Sequence, residues 1–261
     1  MEWKQTTALV TGASSGIGEQ FARELARRGC RTVLVARSEE RLRDLAAQLA
    51  ASGAIQPVVI AMDLACEGAA ADLKRRTDAQ GLEIDVLINN AGYSEKGGVH
   101  EIAVLAQERL IQLNVTTMAS LVSLYLPGMR GRAKGVVVNL ASIAGFLPLP
   151  TQAAYAASKA FVLSYTESLW EESRGTGVRI LALCPGATAT DFFQRLGHDV
   201  NAPKHTSQKV VEVAMRALEK DRMTAVVGWR NAFLSRFLPR IICRKLAAIA
   251  TGAVIRNAYR T

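Results

Sequence analysis

Short apolar segments alternate with longer segments of helix-like periodicity along most of the chain. The first apolar segment, 6–11, leads into a glycine-rich turn at 12–18 and then into an amphipathic helical pattern at 19–28. Further β-rich apolar segments predict strands at 32–36, 58–61, 86–89, 135–140, 179–184 and 225–227. The helical patterns between them predict helices at 39–51, 67–79, 105–126, 153–173 and 207–220.

This alternation of strands and helices predicts a doubly wound, mostly parallel α/β sheet. The chain has 261 residues, a length that such sheets often reach as one domain. Since no internal repeat, low-complexity tract or linker interrupts the pattern, we predict a single catalytic domain over 1–227. Ligands of such sheets bind beyond the carboxyl ends of the strands, and the distinctive motifs of this chain fall there.

The last segment, 228–261, has a different character. Its apolar residues recur at helix-like spacing among seven cations and no acid, and Pro239 predicts a break between two helices. A basic amphipathic extension of this kind can lie on an anionic membrane surface, cover the substrate pocket or pack in an oligomer interface. The sequence leaves these three alternatives open.

The net charge of +9 is concentrated in that tail, because its seven cations leave only +2 for the rest of the chain. This asymmetry argues against a nucleic-acid-binding surface spread over the domain. The three histidines and four cysteines have no metal-like spacing, so we expect no metal site and a reducing, cytoplasmic location. We also expect no signal peptide and no membrane-spanning helix. Peripheral membrane contact through the tail is the alternative to a purely cytoplasmic location.

The glycine-rich turn lies between a predicted strand and a predicted helix, which is the context of a dinucleotide-binding site. Gly12 allows the tight turn, Gly16 lets the backbone approach a pyrophosphate, and Gly18 allows the helix to pack closely. Free N–H groups at the start of the helix then favour the phosphates. Alone, such a turn is also compatible with an ordinary strand-to-helix connection.

Tyr155 and Lys159 are four residues apart and therefore share one face of the predicted helix. A free tyrosine has a pKa of about 10 and is nearly inert as an acid or base at neutral pH. A neighbouring ammonium favours the phenolate and lowers that pKa toward the working range. The pair is a candidate proton donor, and Ser142 is a candidate holder of a carbonyl or alcohol oxygen. Alone, the pair is more often a core tyrosine beside a solvated lysine.

Together, these motifs resemble those of the short-chain dehydrogenase/reductase family in its compact single-domain form, over roughly residues 6–190. The resemblance implies a Rossmann-type, seven-stranded sheet of order 3-2-1-4-5-6-7, an oxidoreductase activity and a homo-oligomer, a dimer or a tetramer. The motifs follow the order of the family along the chain: Thr11-Gly12-x-x-x-Gly16-x-Gly18, Asn89-Asn90-Ala91-Gly92, Asn114, Ser142, Tyr155-x-x-x-Lys159 and Pro185-Gly186.

The resemblance also implies a role for each candidate catalytic residue. Tyr155 would be the acid/base, while Lys159 would lower its pKa and bind the nicotinamide ribose. Ser142 would orient the substrate oxygen, and Asn114 would keep a proton-relay water in place. In the direction of reduction, hydride passes from the nicotinamide to the carbonyl carbon while Tyr155 protonates the oxygen.

The end of the second predicted strand indicates which dinucleotide is bound. An acidic residue there would bind a ribose 2′-hydroxyl and repel a 2′-phosphate. This chain has Ala36 and Arg37 instead, and Arg37 can pair with a phosphate, so we expect NADP (NADPH) rather than NAD. Many relatives that use NADP carry a basic residue where this chain has Ser15, so the preference depends mainly on Arg37.

Further cofactor contacts are implied by the resemblance alone. Asp63 and Leu64 would meet the adenine edge, although Asp63 could also be a helix N-cap. The role of Thr188 is open, because relatives usually carry Val or Ile there. The full set of expected cofactor-binding residues is Gly12, Ser14, Ser15, Gly16, Ile17, Gly18, Arg37, Asp63, Leu64, Asn90, Ala91, Gly92, Tyr155, Lys159, Pro185, Gly186, Thr188 and Thr190.

The substrate is indicated only by apolar residues near the motifs. We expect Ser142 and Tyr155 to contact it, with Phe146, Gln152 and Phe192 around it. No basic residue stands out as a carboxylate clamp, which favours a hydrophobic ketone, aldehyde or secondary alcohol. The same apolar residues are compatible with ordinary lid packing. A non-catalytic dinucleotide sensor or scaffold, anchored by its basic tail, is the competing functional hypothesis.

Overall fold

Seven parallel strands form one sheet in the computed structural model of the protein, which describes residues 3–190, 192 and 204–258. The order, β3-β2-β1-β4-β5-β6-β7, confirms the predicted topology. The order reverses between β1 and β4, and this reversal opens a crevice at the carboxyl ends of the strands. The strands are β1 (Thr7–Thr11), β2 (Arg31–Ala36), β3 (Val58–Ala61), β4 (Val86–Asn89), β5 (Gly135–Leu140), β6 (Val178–Cys184) and β7 (Thr224–Val226).

Helices connect the strands and cover both faces of the sheet. A π-helical turn, Gln112–Thr117, joins two of the helices end to end, and a 3₁₀ turn, Ile143–Phe146, follows β5. The α-helices are α1 (Gly16–Arg27), α2 (Glu39–Ala51), α3 (Ala69–Ala79), α4 (Val104–Ile111), α5 (Met118–Gly131), α6 (Ala153–Glu172), α7 (Ser207–Glu219), α8 (Trp229–Ile241) and α9 (Arg244–Ala258).

Alternation along each strand divides the core into two layers. Leu9 and Leu87 face one layer, and their neighbours Val10 and Ile88 face the other. Every one of these side chains is almost completely buried. This explains the nearly continuous apolar runs in the sequence, because a parallel sheet covered on both faces needs apolar residues on both.

The helical run that contains α4 and α5 differs from its prediction. The pattern predicted one helix that stops at Leu126, before Pro127, but the run continues to Gly131 and buries Met129 completely. Burial of that side chain outweighs the hydrogen bond that proline cannot donate. The whole run, Val104–Gly131, is long and apolar enough to cross a bilayer by length and composition, a test that core helices also pass. Its buried residues pack against the sheet, so we assign it to the core.

The tail forms two helices, as predicted, but the break lies elsewhere. Helix α8 runs through Pro239 and ends at Ile241, so the predicted break at the proline is wrong. A proline removes one N–H donor and crowds the carbonyl group one turn before it, so the last turn of α8 forms in spite of this cost. The division of the chain at residue 227 stays a prediction.

Candidate active site

The glycine-rich turn has the geometry that its sequence predicts. The φ angles of Gly12 and Gly16 are +66° and +60°, in the left-handed region that glycine adopts without strain. A Cβ atom on Gly18 would lie 2.2 Å from the carbonyl oxygen of Gly12, so no larger residue fits there. The turn therefore brings the first residues of α1 directly against the end of β1.

The start of α1 is left open for a ligand. Ser15 is the N-cap in extended conformation, and its side chain accepts no capping hydrogen bond. Ser14 and Ser15 are half-buried beside the turn, while Ile17 packs against the core. Uncapped N–H groups at a helix N-terminus favour an anion, so these residues fit the pyrophosphate of a dinucleotide.

Hydrogen bonds tie the ends of β1 and β4 together beside the turn. The Asn90 side-chain amide donates to the carbonyl oxygens of Thr11 at 2.9 Å and of Gly12 at 3.2 Å. The Thr11 hydroxyl accepts from the backbone N–H groups of Asn90 and Ala91 at 2.9 Å and 3.0 Å. Asn90 and Ala91 thus stabilise the crevice where the sheet order reverses.

Charged residues cluster where the adenosine end of a dinucleotide is expected. The exposed Arg37 follows β2, and its charge acts on Asp63 and on Tyr93. Asp63 accepts hydrogen bonds from the Ala65 N–H at 3.0 Å and from Arg109 at 2.5 Å. Burial raises the pKa of the Asp63 carboxyl. The two hydrogen bonds and the charge of Arg37 lower it by more, so the net effect is a decrease.

The interpretation of Asp63 as a helix N-cap is wrong. Helix α3 begins at Ala69 with Gly68 as its N-cap, and Gly68 lies five residues after Asp63, which is too far for Asp63 to be the cap. Asp63 instead closes a local turn through the Ala65 N–H. Its neighbour Leu64 is buried, and its carbonyl oxygen accepts from Thr117 at 2.8 Å, which joins the adenine side to the π-helical turn.

Ser142, Tyr155 and Lys159 come together at the carboxyl end of β5. Ser142 begins the 3₁₀ turn, where its hydroxyl accepts from the Ala144 N–H at 3.1 Å. The Lys159 ammonium donates to the Leu140 carbonyl oxygen at 2.6 Å and lies 5.8 Å from the centre of the Tyr155 ring. The residues that the sequence separates by up to 17 positions therefore form one cluster.

The protonation of this cluster differs from the expectation drawn from sequence. Burial raises the pKa of Tyr155 to about 12, although a hydrogen bond with Ser142 lowers it in part. Burial also lowers the pKa of Lys159 to about 8, with the charge of Cys184 acting in the opposite direction. In the protein alone, the pKa of the phenol does not reach the neutral range, because burial of Tyr155 itself outweighs the hydrogen bond with Ser142.

Asn114 lies in the π-helical turn and is almost completely buried. Its amide N–H groups donate to the Tyr93 carbonyl oxygen at 2.9 Å and to the Ser158 hydroxyl at 3.1 Å. Its oxygen accepts from the Tyr93 N–H at 3.2 Å and would lie 2.9 Å from a Cβ atom on Gly92. Asn114 therefore holds the strand-end loop against α6, and its role toward a relay water stays a prediction.

The segment after β6 closes the site on the other side. The carbonyl oxygen of Pro185 accepts from the Ile143 N–H at 3.1 Å, and a Cβ atom on Gly186 would lie 2.4 Å from the Asn231 amide. Thr188 is buried and donates to the Gly186 carbonyl oxygen at 3.0 Å, so its hydroxyl supports the turn. Thr190 lies against the glycine turn, within 2.8 Å of a Cβ atom on Gly16.

The expected substrate residues have different surroundings. The Phe192 ring lies 5.8 Å from that of Tyr155 at an angle of 48°. Gln152 is buried and donates to the Ser94 hydroxyl at 3.2 Å, while Phe146 packs against the core. Residues 193–203 of the same loop lie outside the described residues. Within the described part of the chain, no three His, Cys, Asp or Glu side chains form a group that could hold a metal ion.

Three supporting features were missed in the sequence. Arg109 gave no signal, because its partner Asp63 is 46 positions away. Gly145 is required because a Cβ atom there would lie 2.6 Å from the carbonyl oxygen of Lys159. A buried chain of hydrogen bonds runs from Asn89 to Asn139 and on to Thr166 of α6. Asn89 and Asn139 interrupt apolar strands, and buried amides need hydrogen-bond partners. This is the sequence signal from which the chain of hydrogen bonds could have been predicted.

Comparisons with known proteins agree with this site. Residues 6–201 match the short chain dehydrogenase family. The very-long-chain 3-oxoacyl-CoA reductase of Mus musculus is 36% identical over 99% of this chain and 82% of its own. A short-chain dehydrogenase from Sphingobium yanoikuyae in complex with NADPH superposes with a TM-score of 0.82 at 31% identity, over 98% and 97% of the two chains.

A 7β-hydroxysteroid dehydrogenase structure gives a TM-score of 0.86 at 26% identity, over 96% of this chain and 98% of that one. The family match covers well over half of the chain, and the relatives are reductases and dehydrogenases. The chain therefore belongs to the short-chain dehydrogenase/reductase family, whose members are oxidoreductases that act on CH–OH and C=O groups.

Proposed function

We propose that the protein is an NADPH-dependent reductase of apolar ketones in which Tyr155 delivers the proton. The observation that carries this proposal is the cluster of Ser142, Tyr155 and the buried Lys159 at the end of β5. With its pKa raised to about 12, the Tyr155 phenol is protonated throughout the neutral range. A protonated phenol can act as the acid in the reduction of a ketone.

The residues divide the reaction between them. When bound, the reduced nicotinamide would supply the hydride for the new C–H bond at the carbonyl carbon. Tyr155 gives its proton to the carbonyl oxygen as the C=O double bond becomes a C–O single bond. Ser142 holds that oxygen through its hydroxyl, and Lys159 holds the ribose and favours the phenolate that Tyr155 becomes.

Two arginines support the preference for NADPH. Arg37 is exposed at the end of β2, where its guanidinium can meet a 2′-phosphate. Arg109 pairs with Asp63, a carboxylate on which the charge of Arg37 also acts. This ion pair offsets the negative charge of Asp63 near the position where a 2′-phosphate would bind.

The substrate class follows from the apolar surroundings of Tyr155 and from the relatives. Phe192 lies beside Tyr155, and two of the relatives named above are a very-long-chain 3-oxoacyl-CoA reductase and a 7β-hydroxysteroid dehydrogenase. We therefore propose a bulky apolar ketone, with long-chain 3-oxoacyl thioesters as the first class to assay. NADPH oxidation with 3-oxoacyl thioesters of increasing chain length, steroid ketones and aryl ketones tests this. A preference for small polar carbonyls would contradict it.

Tyr155→Phe tests the catalytic role directly. We expect kcat for ketone reduction to fall by about 10²–10⁴-fold with little change in NADPH affinity, because only the proton donor is lost. Tyr165→Phe, on the same helix but outside the cluster, is the matched control and should retain activity. If wild type binds NADPH but reduces no ketone, and Tyr155→Phe behaves identically, the non-catalytic sensor is the correct function.

Arg37→Ala tests the choice of cofactor. We expect the dissociation constant for NADPH to rise about tenfold or more while that for NADH hardly changes, since only NADPH carries the 2′-phosphate. Fluorescence titration of the reduced cofactors measures both constants. Arg43→Ala, an exposed arginine of α2, should leave both unchanged. Equal weakening of NADPH and NADH would show that Arg37 makes no phosphate contact.

We propose in addition that the protein is a homo-oligomer in a reducing, cytoplasmic compartment. On α6, the exposed Phe161 stacks on Tyr165 at 5.4 Å between ring centres, and an apolar helix face of this kind fits a second copy. Cys30, Cys66, Cys184 and Cys243 are all free thiols, as a reducing compartment favours. Light scattering of wild type and Phe161→Asp measures the subunit count.

A further inference from the structure

Helix α8 turns three aromatic side chains outward. Trp229, Phe233 and Phe237 form an aromatic stripe along one side, with exposures of 77%, 59% and 46%. The opposite side turns Ser235, which is 6% exposed, and the half-buried Asn231 toward the protein. A helix that only covers a core has the reverse arrangement.

Helix α9 repeats this arrangement. Leu246 and Ile249 are 55% and 56% exposed, whereas Ala247 is 2% exposed and Thr251 is half-buried. The aromatic stripe, Leu246 and Ile249 together are named here the tail surface. Two consecutive helices that both expose their large apolar residues mark an interaction site rather than scattered surface hydrophobics.

The charged residues of the tail itself all have one sign. Residues 228–261 hold seven cations and no acid, and the described Arg230, Arg244 and Lys245 are exposed. The Arg230 guanidinium lies 5.3 Å from the centre of the Trp229 ring, so cation and aromatic share one surface. Aromatic and basic residues on an amphipathic helix suit the interface of an anionic bilayer, where rings enter the headgroup region and cations meet the phosphates.

A second copy of the chain fits the tail surface poorly. A twofold interface would bring the same surface of both chains together, so the exposed Arg230, Arg244 and Lys245 would face the same cations of the second copy, with no acid in the tail to pair them. A nucleic acid would use the cations but gains little from Leu246 and Ile249, because aliphatic side chains do not stack on bases. The lipid surface uses both kinds of residue.

The tail helices also adjoin the candidate active site. Asn231 of α8 lies against Gly186, which belongs to the turn after β6. The Thr251 hydroxyl of α9 donates to the Pro148 carbonyl oxygen at 2.8 Å, close behind the 3₁₀ turn that starts at Ser142. A surface bound by α8 and α9 would therefore lie near the substrate side of the site.

We propose that the tail surface docks on an anionic lipid bilayer and holds the substrate side of the site against it. The aromatic stripe, Leu246 and Ile249 enter the headgroup region, and the exposed Arg230, Arg244 and Lys245 bind lipid phosphates. The docking stands on the tail alone, whereas the delivery of apolar ketones from the bilayer rests on the proposed function.

Co-sedimentation of the full chain with vesicles tests the docking. We expect binding to phosphatidylcholine vesicles that contain phosphatidylglycerol, and much weaker binding to pure phosphatidylcholine. Ile249→Ser should weaken binding severalfold, and Phe233→Ser/Phe237→Ser by roughly tenfold or more. Ile55→Ser is the matched control, since Ile55 is 46% exposed between α2 and β3, and it should bind as wild type does.

A charge pair of variants separates attraction at the tail from net charge. Arg244→Glu/Lys245→Glu should abolish binding to the anionic vesicles. Arg43→Glu/Arg75→Glu makes the same change in net charge, but on α2 and α3. This variant should retain most of the binding to anionic vesicles. Equal losses in the two variants would overturn the proposal, because general electrostatic attraction would then explain the binding.

Trp229 reports docking in the unmodified protein. Its ring is 77% exposed, so we expect its emission to shift to shorter wavelength with anionic vesicles and to be quenched by brominated lipid. The change should disappear in Trp229→Phe, which retains vesicle binding, while Trp3 and Trp170 remain as internal references. An unchanged wild-type emission with vesicles present overturns the proposal without any variant.

The competing occupants give distinct results, and each overturns the proposal. If Phe233→Ser/Phe237→Ser lowers the oligomeric state while wild type ignores vesicles, the tail surface is an interface between copies. If wild type binds duplex DNA but no vesicle, the cations serve a nucleic acid. Vesicle binding by a protein that reduces no ketone leaves the docking intact and contradicts only the proposed function.

Discussion

Helices α6 and α8 both break the rule that apolar residues lie inside and polar residues outside, and they break it in opposite directions. Helix α6 buries Ser158, Lys159 and Thr166, of which Thr166 is completely inaccessible. Helix α8 exposes Trp229 and Phe233 instead. The contrast teaches that a buried cation marks internal chemistry, whereas an exposed aromatic stripe marks an external partner.

The two departures also differ in what compensates them. In α6 each buried polar group has a partner: Lys159 donates to Leu140, and Thr166 accepts from Asn139 and donates to Val162. On α8, the aromatic stripe makes ring contacts within itself, such as the 4.8 Å contact of Phe233 with Phe237. Disturbing α6 should therefore change stability, while disturbing the stripe of α8 should change binding.

Lys159→Met should change stability more than Thr166→Val or Phe233→Ser. The pKa of Lys159 is about 8 in the folded protein and 10.5 for the free side chain. Between these pH values the unfolded chain binds a proton that the folded protein has lost, so rising pH stabilises wild type. The methionine variant lacks this pH-dependent increase in the free energy of unfolding, which amounts to up to about 3 kcal/mol.

Urea unfolding of both proteins from pH 7.5 to 10.5 measures the effect. At pH 7.5 the free energy of unfolding should be higher for Lys159→Met than for wild type. This difference should shrink as the pH rises, because wild type becomes more stable. Lys209→Met, at an exposed position of α7, is the control and should follow wild type. If the free energy of unfolding changes with pH in the same way for wild type and Lys159→Met, burial of the charged Lys159 ammonium does not destabilise the protein.

Thr166→Val should have a smaller effect. The substitution preserves shape but removes the acceptor of the Asn139 amide, which lies 3.0 Å away in the core. A buried donor without a partner costs about 1–3 kcal/mol of unfolding free energy. Ser168→Ala on the exposed side of the same helix should cost almost nothing. Thermal unfolding of the two variants compares them, and equal midpoints would contradict a supporting role for the hydrogen-bond chain.

Phe233→Ser should have the smallest effect on stability. Its ring is already 59% exposed, so the free energy of unfolding should change by no more than about 0.5 kcal/mol. Leu169→Ala, at a buried position of α6, should cost about 2–5 kcal/mol. A large loss of stability in Phe233→Ser would mean that the stripe packs inside the protein, and the contrast between the two helices would fail.

Local patterns were sufficient to predict most of the fold. The alternation of apolar runs and helical periods predicted the strand ranges to within a residue or two, because buried parallel strands need continuous apolar sequence. Gly12, Gly16 and Gly18 were readable because their spacing reflects local backbone geometry. The end of the long helix near Pro127 was misread, since the burial of Met129 is decided by the sheet beneath it.

The candidate site was predictable in its members but less so in its electrostatics. Tyr155 and Lys159 are one helical turn apart, so the chain itself keeps them close. The pKa of each depends on how deeply it is buried, and burial raises that of Tyr155 to about 12 where the sequence suggested a decrease. The pairing of Arg109 with Asp63 joins residues from different parts of the chain and left no local pattern.

By itself, the sequence determined the parallel sheet, the glycine turn, the tyrosine and lysine on one helical face and the basic character of the tail. These depend on interactions between neighbours in the chain, which residue order controls directly. Only the tertiary structure decided which side of α8 faces outward, that α8 continues past Pro239, and how α9 meets the loop behind Ser142. An amphipathic pattern defines two sides of a helix, but what packs against each side depends on the rest of the fold.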